Sequence, residues 1–418
     1  MKKIIALLLA SLLIVGMFAG CADKKEDDTP SVYYLNFKPE FDEALTELAK
    51  KYTEKTGVEV KIVTAASGDY NSTLTSNIKD VTIFNIGNSA ALADWDEYAL
   101  DLTDTAIAKE LTTNDFNLYN EAGELKAIGN CYESYGIIVN TKLLKDAGYE
   151  LSDITDFATL KTAAEDIHAR AAELGFDAFT TSGLQDSSSW RFSGHLATLP
   201  LHYEGIDSNV ATITGEKLDY FKNVWDLYIN NAAADPTTLT GESDAAAEFK
   251  AGKAVFYQNG TWEYAGLIEA GMTDDQLAMI PIYCGAETDK DSALCSGTEN
   301  RWAINAKASE ADQKASIEFL TWLVTDEEAS KVYVEQLGAV PFKGCPASAN
   351  KFVADGNALL AAGKTSISWA FNYTPNVDSW RATVVTALAA YSAGTADWSE
   401  VVKAFVEGWE IEYKAVNG

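Results

Sequence analysis

At 418 residues the chain is too long for one ordinary core and suits two domains, and its 47% hydrophobic content is enough to give each an interior. The formal net charge of −30 repels nucleic acid and anionic lipid surfaces, which argues against both as partners. The five cysteines form no CxxC pair and the three histidines no cluster, so a zinc-type site is not expected, and no cofactor is implied. Cys284 and Cys295 either bridge a short loop or stay free thiols.

In chain order, Lys2 and Lys3 precede an apolar run from Ile4 to Phe18. That run is shorter than the roughly 20 residues of a membrane-spanning helix, so residues 1–20 read as an export signal. The ending Ala19, Gly20, Cys21 resembles a bacterial lipobox, with Phe18 in place of the usual Leu. Residues 21–31 then form a lipidated Cys21 and a charged tether without apolar periodicity.

"VYYLNF" reads as a strand, and Phe41, Leu45, Leu48 and Tyr52 fall at helical spacing behind Pro39. Gly57 stops that helix and "VEVKIV" alternates as the next strand, so the unit predicts a parallel pair in an α/β sheet. "VTIFNIG" and "YGIIVN" (residues 135–140) are further strands, and residues 157–175 and 217–231 are helical. "AAAEFKAGKAVFYQNG" predicts helix, glycine stop, strand and Asn-Gly turn, placing Trp262 at a helix start beside a strand end, where α/β sheets bind ligands. Two later helices start at Ser309, with Asp312, and at Thr325, with Glu328 as a capping box. Trp225, Trp322 and Trp409 sit inside helical patterns and are expected in the core.

Five segments in order resemble the family 1 extracellular solute-binding proteins of ABC importers, the maltose-binding-protein-like group. They are "YYLNFKPEFDEALTELAKKYTEKTGVEVKIV", "VTIFNIGN", "ELKAIGNCYESYGIIVNTKLLKDAG", "FKAGKAVFYQNGTW" and "ENRWAINAKASEADQKASIEFLTWLVTDEEASKVYVEQLGAVP". The resemblance implies an α/β, two-lobed periplasmic-binding-protein-like fold with a hinge and an interlobe ligand cleft. The implied layout is a first lobe of residues 32–134 plus 265–308 and a second of 135–264 plus 309–418, with "YGIIVN" as the first crossover.

By the same resemblance, Trp262 stacks on a sugar ring, whose C–H face suits a flat apolar platform. Trp190 and Trp380 fall where the second lobe supplies further aromatics, with Arg191 and Arg381 as hydroxyl donors and Trp369 a weaker candidate. In the first lobe Lys38 matches a lysine that donates to hydroxyls, with Asn36 and Glu40 beside it. Asn85 and Asn88 occupy a loop that faces the cleft. Glu133 matches an acceptor of vicinal hydroxyls, although its place at the crossover also suits a hinge salt bridge. Asp186 and Glu299 are acids of the same kind, and Tyr70 is a rim aromatic.

The expected function is capture of a sugar or short oligosaccharide, a maltooligosaccharide first, by a monomer lipid-anchored at the outer face of a bacterial cell membrane. Delivery is to the transmembrane subunits of an ABC permease. The alternatives are a binding protein for a non-sugar solute and a secreted carbohydrate-active enzyme. The second needs two placed carboxylates, which 62 acidic residues always offer, and no nucleophile elbow supports it.

Overall fold

The computed structural model describes residues 29–65, 67–185 and 188–418. The export signal, Cys21 and Asp186 lie outside the described residues. Within them, no helix is long and apolar enough to cross a membrane.

Two mixed sheets organise the chain. The first has the order β2-β1-β3-β11-β5-β4, built from β1 (Ser31–Asn36), β2 (Glu59–Thr64), β3 (Ile83–Asn85), β4 (Leu118–Tyr119), β5 (Leu125–Gly129) and β11 (Arg301–Ile304). β1 pairs in parallel with β2 and β3, as the strand, helix, strand spacing predicts. The intervening helix, Asp42–Thr56, buries Leu45, Leu48 and Tyr52 and ends at Gly57, whose φ of 78° is left-handed backbone that glycine adopts without strain.

The second sheet has the order β12-β10-β6-β8-β7, with β9 also on β6. Its strands are β6 (Glu133–Asn140), β7 (Asp177–Phe179), β8 (Ala254–Gly260), β9 (Leu277–Ile280), β10 (Ser292–Gly297) and β12 (Thr365–Ser368). β6 is buried nearly throughout, because its two faces enter separate cores, Tyr135, Ile137 and Val139 one and Ile138 the other, while β8 pairs along one edge and β9 and β10 share the other.

Each sheet carries its own core, and this corrects the expected lobe boundaries. Residues 277–297 belong to the second lobe, since β9 and β10 hydrogen-bond to β6. The helices Glu310–Thr325 and Glu327–Leu337 belong to the first. Phe319 packs edge-on against Tyr52 at 5.1 Å and Tyr333 against Phe41 at 5.5 Å. The chain therefore crosses between lobes at residues 130–132, 298–300 and 338–350. The crossings are stitched together: the Asn130 N–H donates to the Asn300 carbonyl at 3.0 Å and the Tyr132 N–H to the Ala339 carbonyl at 3.0 Å.

Two local expectations change. The helix after Thr325 is capped by Asp326, whose carboxylate accepts from the N–H groups of Glu328 and Ala329, because Thr325 still belongs to the preceding helix. Asn259 and Gly260 are not a turn but the last rungs of β8, paired with Gly136 and Tyr135; the turn falls at Thr261–Trp262. All four described cysteines are free.

Candidate functional site

Between the lobes lies a cleft of about 760 Å³, and Glu133 at the start of β6 and Glu299–Asn300 on the second crossing contribute to its lining. Its volume falls within the range of pockets that enclose small organic ligands.

The second lobe supplies an aromatic wall. Trp262 is the N-cap of the helix Glu263–Glu269, directly after β8. Its ring folds back over Gly260, where a Cβ would stand 2.5 Å from Cε3 and closer to the outer ring carbons, so only glycine leaves the indole its place. Trp190 lies 6.0 Å from Trp262, centroid to centroid, and meets His195 edge-on at 4.9 Å. His195 in turn stacks flat on Tyr135 at 3.7 Å. Trp369 continues the wall, with its Nε1–H donating to the Cys295 carbonyl at 3.0 Å and Phe371 beyond it at 5.8 Å. A π-helix over Arg191–Leu196 presents Gly194 and His195 to this space.

Opposite stands a polar face. Lys38 follows β1, and Asn36 fixes its backbone: the Asn36 Nδ2 donates to the Lys38 carbonyl at 2.7 Å and its Oδ1 accepts the Lys38 N–H at 3.1 Å. The ammonium then reaches Glu133 Oε1 at 2.6 Å and Glu40 at 3.1 Å, with the Trp262 centroid 5.9 Å away. Asn300 Nδ2 donates to the other Glu133 oxygen at 3.1 Å. Burial pushes the Glu133 carboxyl up, against the opposing pull of Lys38. Burial alone would lower the lysine, but Glu133 and Glu40 outweigh it and hold Lys38 above its ordinary value, so the ammonium is the proton's place.

Most expected site residues converge here. Trp262, Trp190, Lys38, Glu133, Asn85, Asn88, Tyr70 and Arg381 line the cleft, with Glu40, Glu299 and Trp369. Their roles differ. Asn88 caps the helix Ser89–Trp95 through the Ala91 N–H while facing the cleft. Asn85 accepts from the Arg301 N–H at 2.6 Å and donates to the Glu299 carbonyl at 2.9 Å, tying β3 to the second crossing. Tyr70 is no rim residue: it is buried, its hydroxyl donating to the Leu35 carbonyl at 3.1 Å and accepting the Asn85 N–H at 2.7 Å.

Three candidates are structural. Trp380 is fully buried, 4.6 Å from Phe405, with Nε1–H donated to the Phe405 carbonyl at 2.9 Å. It faces the core because it starts the apolar stripe Trp380, Val384, Leu388 of the helix Val377–Ser392, a spacing of four that the sequence already displays. Arg191 is buried among the Gln258 carbonyl at 2.9 Å, the Thr181 carbonyl and the Ser188 hydroxyl. Asn36 is buried and acts through Lys38. Conversely, His195, Glu263, Glu269, Asn300, Phe37, Trp95 and Phe371 line the cleft without having been singled out. Phe37 and Asn300 sat within segments quoted for the resemblance, and the other five did not.

Burial, with Arg191 and Arg381 nearby, holds His195 well below the ordinary imidazole value, so it stays neutral. Burial likewise raises Glu263 and Glu299. Among the described residues no group of His, Cys, Asp and Glu is arranged to hold a metal ion. The arrangement suits an uncharged face of a ligand against the rings and its polar edge against Lys38, Glu133 and the asparagines.

Residues 47–361 match the family model described as bacterial extracellular solute-binding protein. Among solved structures, the chain is similar to the solute-binding protein RafE in complex with raffinose (17% identity, 92% of this chain and 100% of that one, TM-score 0.72). It is also similar to a sugar transporter from Bacillus licheniformis in complex with stachyose (17%, 92% and 99%, TM-score 0.69). A maltose-bound MalE3 from T. maritima matches as well (14%, 91% and 99%, TM-score 0.68). No curated protein matches the chain by sequence.

Proposed function

The chain belongs to the bacterial extracellular solute-binding proteins, and from that premise we propose that it captures a sugar or short oligosaccharide between its lobes and hands it to an ABC permease. The observation that carries this reading is the cleft's two-faced chemistry: the rings of Trp190, Trp262 and Trp369 on one side, Lys38, Glu133, Asn85 and Asn88 on the other. A pyranose has the matching two faces, C–H groups for an indole and hydroxyl edges for charged and amide partners. Several rings side by side favour more than one sugar unit, with a maltooligosaccharide as the first candidate, in keeping with the sugar complexes among its structural neighbours.

Capture is closure. The Lys38–Glu133 pair joins a first-lobe loop to the first residue of β6, so a ligand that bonds to both sides favours the closed arrangement by its differential contacts. Cys21 would carry the lipid that keeps the protein, as a monomer, beside its permease. The reading is tested by melting the purified protein against mono- and oligosaccharides: a ligand at a hundredfold its Kd adds about 2.7 kcal/mol. A selective rise in Tm with one glycan class supports sugar capture, and a flat response across all of them removes it.

A further inference from the structure

The cleft's charge is lopsided. Among the described residues six carboxylates line it, Glu40, Glu133, Glu263, Glu269, Glu299 and Asp378, against two cations, Lys38 and Arg381. Both cations are already engaged: Lys38 with Glu133 and Glu40, and Arg381 with Asp378 at 3.6 Å. His195 contributes no charge, since burial keeps it neutral. Glu263 accepts one amide bond, from Asn259 at 3.0 Å. Glu299, on the second crossing, is half-buried, and Arg381 is the cation that most offsets the cost of its burial.

A second observation points the same way. Asn300 lines the cleft and is 2% exposed, its Nδ2 is spent on Glu133, and its buried Oδ1 has no hydrogen-bond partner among the described residues. A buried acceptor left alone costs free energy until a donor arrives. Carboxylates and a lone carbonyl oxygen beside indole faces call for a ligand that donates hydrogen bonds and carries positive charge, because rings and acids both attract cations.

Resting on the sugar reading but replacing its neutral first candidate, we infer that the preferred ligand is an amino sugar, an oligosaccharide bearing a free, protonated amine that Glu299 receives. Neutral glycans fill the same rings without meeting the charge, and anionic ones are rejected.

The test is calorimetric titration of the intact protein with a glucosamine trisaccharide, its N-acetylated counterpart, which has the same skeleton without the charge, and maltotriose, each in low and high salt. The expected result is at least tenfold tighter binding of the free-amine glycan, an advantage that shrinks with salt. Glu299→Gln should abolish most of that advantage, its unliganded Tm serving as the folding check. Equal or tighter binding of the acetylated or neutral trisaccharide overturns the amine inference and leaves sugar capture standing. Binding of none of the three, where other glycans also fail to raise Tm, overturns both.

Discussion

Gly260→Ala is a perturbation of one methyl group that separates binding from stability. Built on Gly260, the Cβ would stand 2.5 Å from Trp262 Cε3 and nearer still to the outer ring carbons, whereas carbon atoms rest about 3.5–4.0 Å apart. The ring must therefore retreat by at least about 1 Å. Trp262 is half-buried and its indole faces the cleft, so it can swing without displacing the backbone of β8. Stability should then fall at the lower end of the roughly 1–3 kcal/mol typical of overpacking. A displaced platform loses the alignment of ring and sugar, and aromatic stacking is worth about 0.5–1.5 kcal/mol beyond area burial, so affinity should fall about 2- to 13-fold. Calorimetry on the tightest glycan and a thermal melt of the free protein give the two numbers. Unchanged affinity would refute the claim that Trp262 is held in place as a platform, and a collapse of Tm would show that its ring serves the core.

Trp380→Ala should do the reverse, lowering stability by about 3–5 kcal/mol through a core cavity and the lost bond to Phe405, as read from urea unfolding of the second lobe. Trp190→Ala should leave the urea midpoint nearly in place and weaken the ligand. Lys38→Met leaves Glu133 buried without its cation and should cost about 3–5 kcal/mol; adding Glu133→Gln should restore most of the stability and none of the affinity, in a double-mutant cycle. His195 is held neutral in the fold but protonates near pH 6.5 when unfolded, so its contribution is present above that pH and lost as pH falls below it. Between pH 7 and pH 5.5 the wild type should lose about 1 kcal/mol that His195→Gln does not lose; buried Glu133, Glu263 and Glu299, raised in the fold, act with the opposite sign equally in both proteins. Identical pH slopes for the two would refute it.

Much of the site was legible because its residues follow strand ends. Lys38 and Asn85 lie at the ends of β1 and β3, and Trp262 follows β8, so strand patterns located them. Trp380 misled because a helix start rich in polar residues looks like a turn, although the spacing to Val384 and Leu388 was in plain view. Arg191 and Asn36 are polar residues spent on backbone groups, a use that residue type does not reveal. His195 was beyond reach: its place depends on a π-helix and on stacking with Tyr135, sixty positions earlier in the chain. The lobe boundaries failed for a related reason, since β9 and β10 choose β6 by long-range pairing that local patterns do not encode.

The most direct measurement is a crystal structure of the protein with its tightest glycan. It should place a pyranose face on Trp262 at van der Waals distance, with hydroxyl or amine groups bonded to Lys38, Glu133 or Glu299. A ligand bound elsewhere, or a cleft filled with no sugar ring on Trp262, would contradict the reading of this cleft as a sugar site.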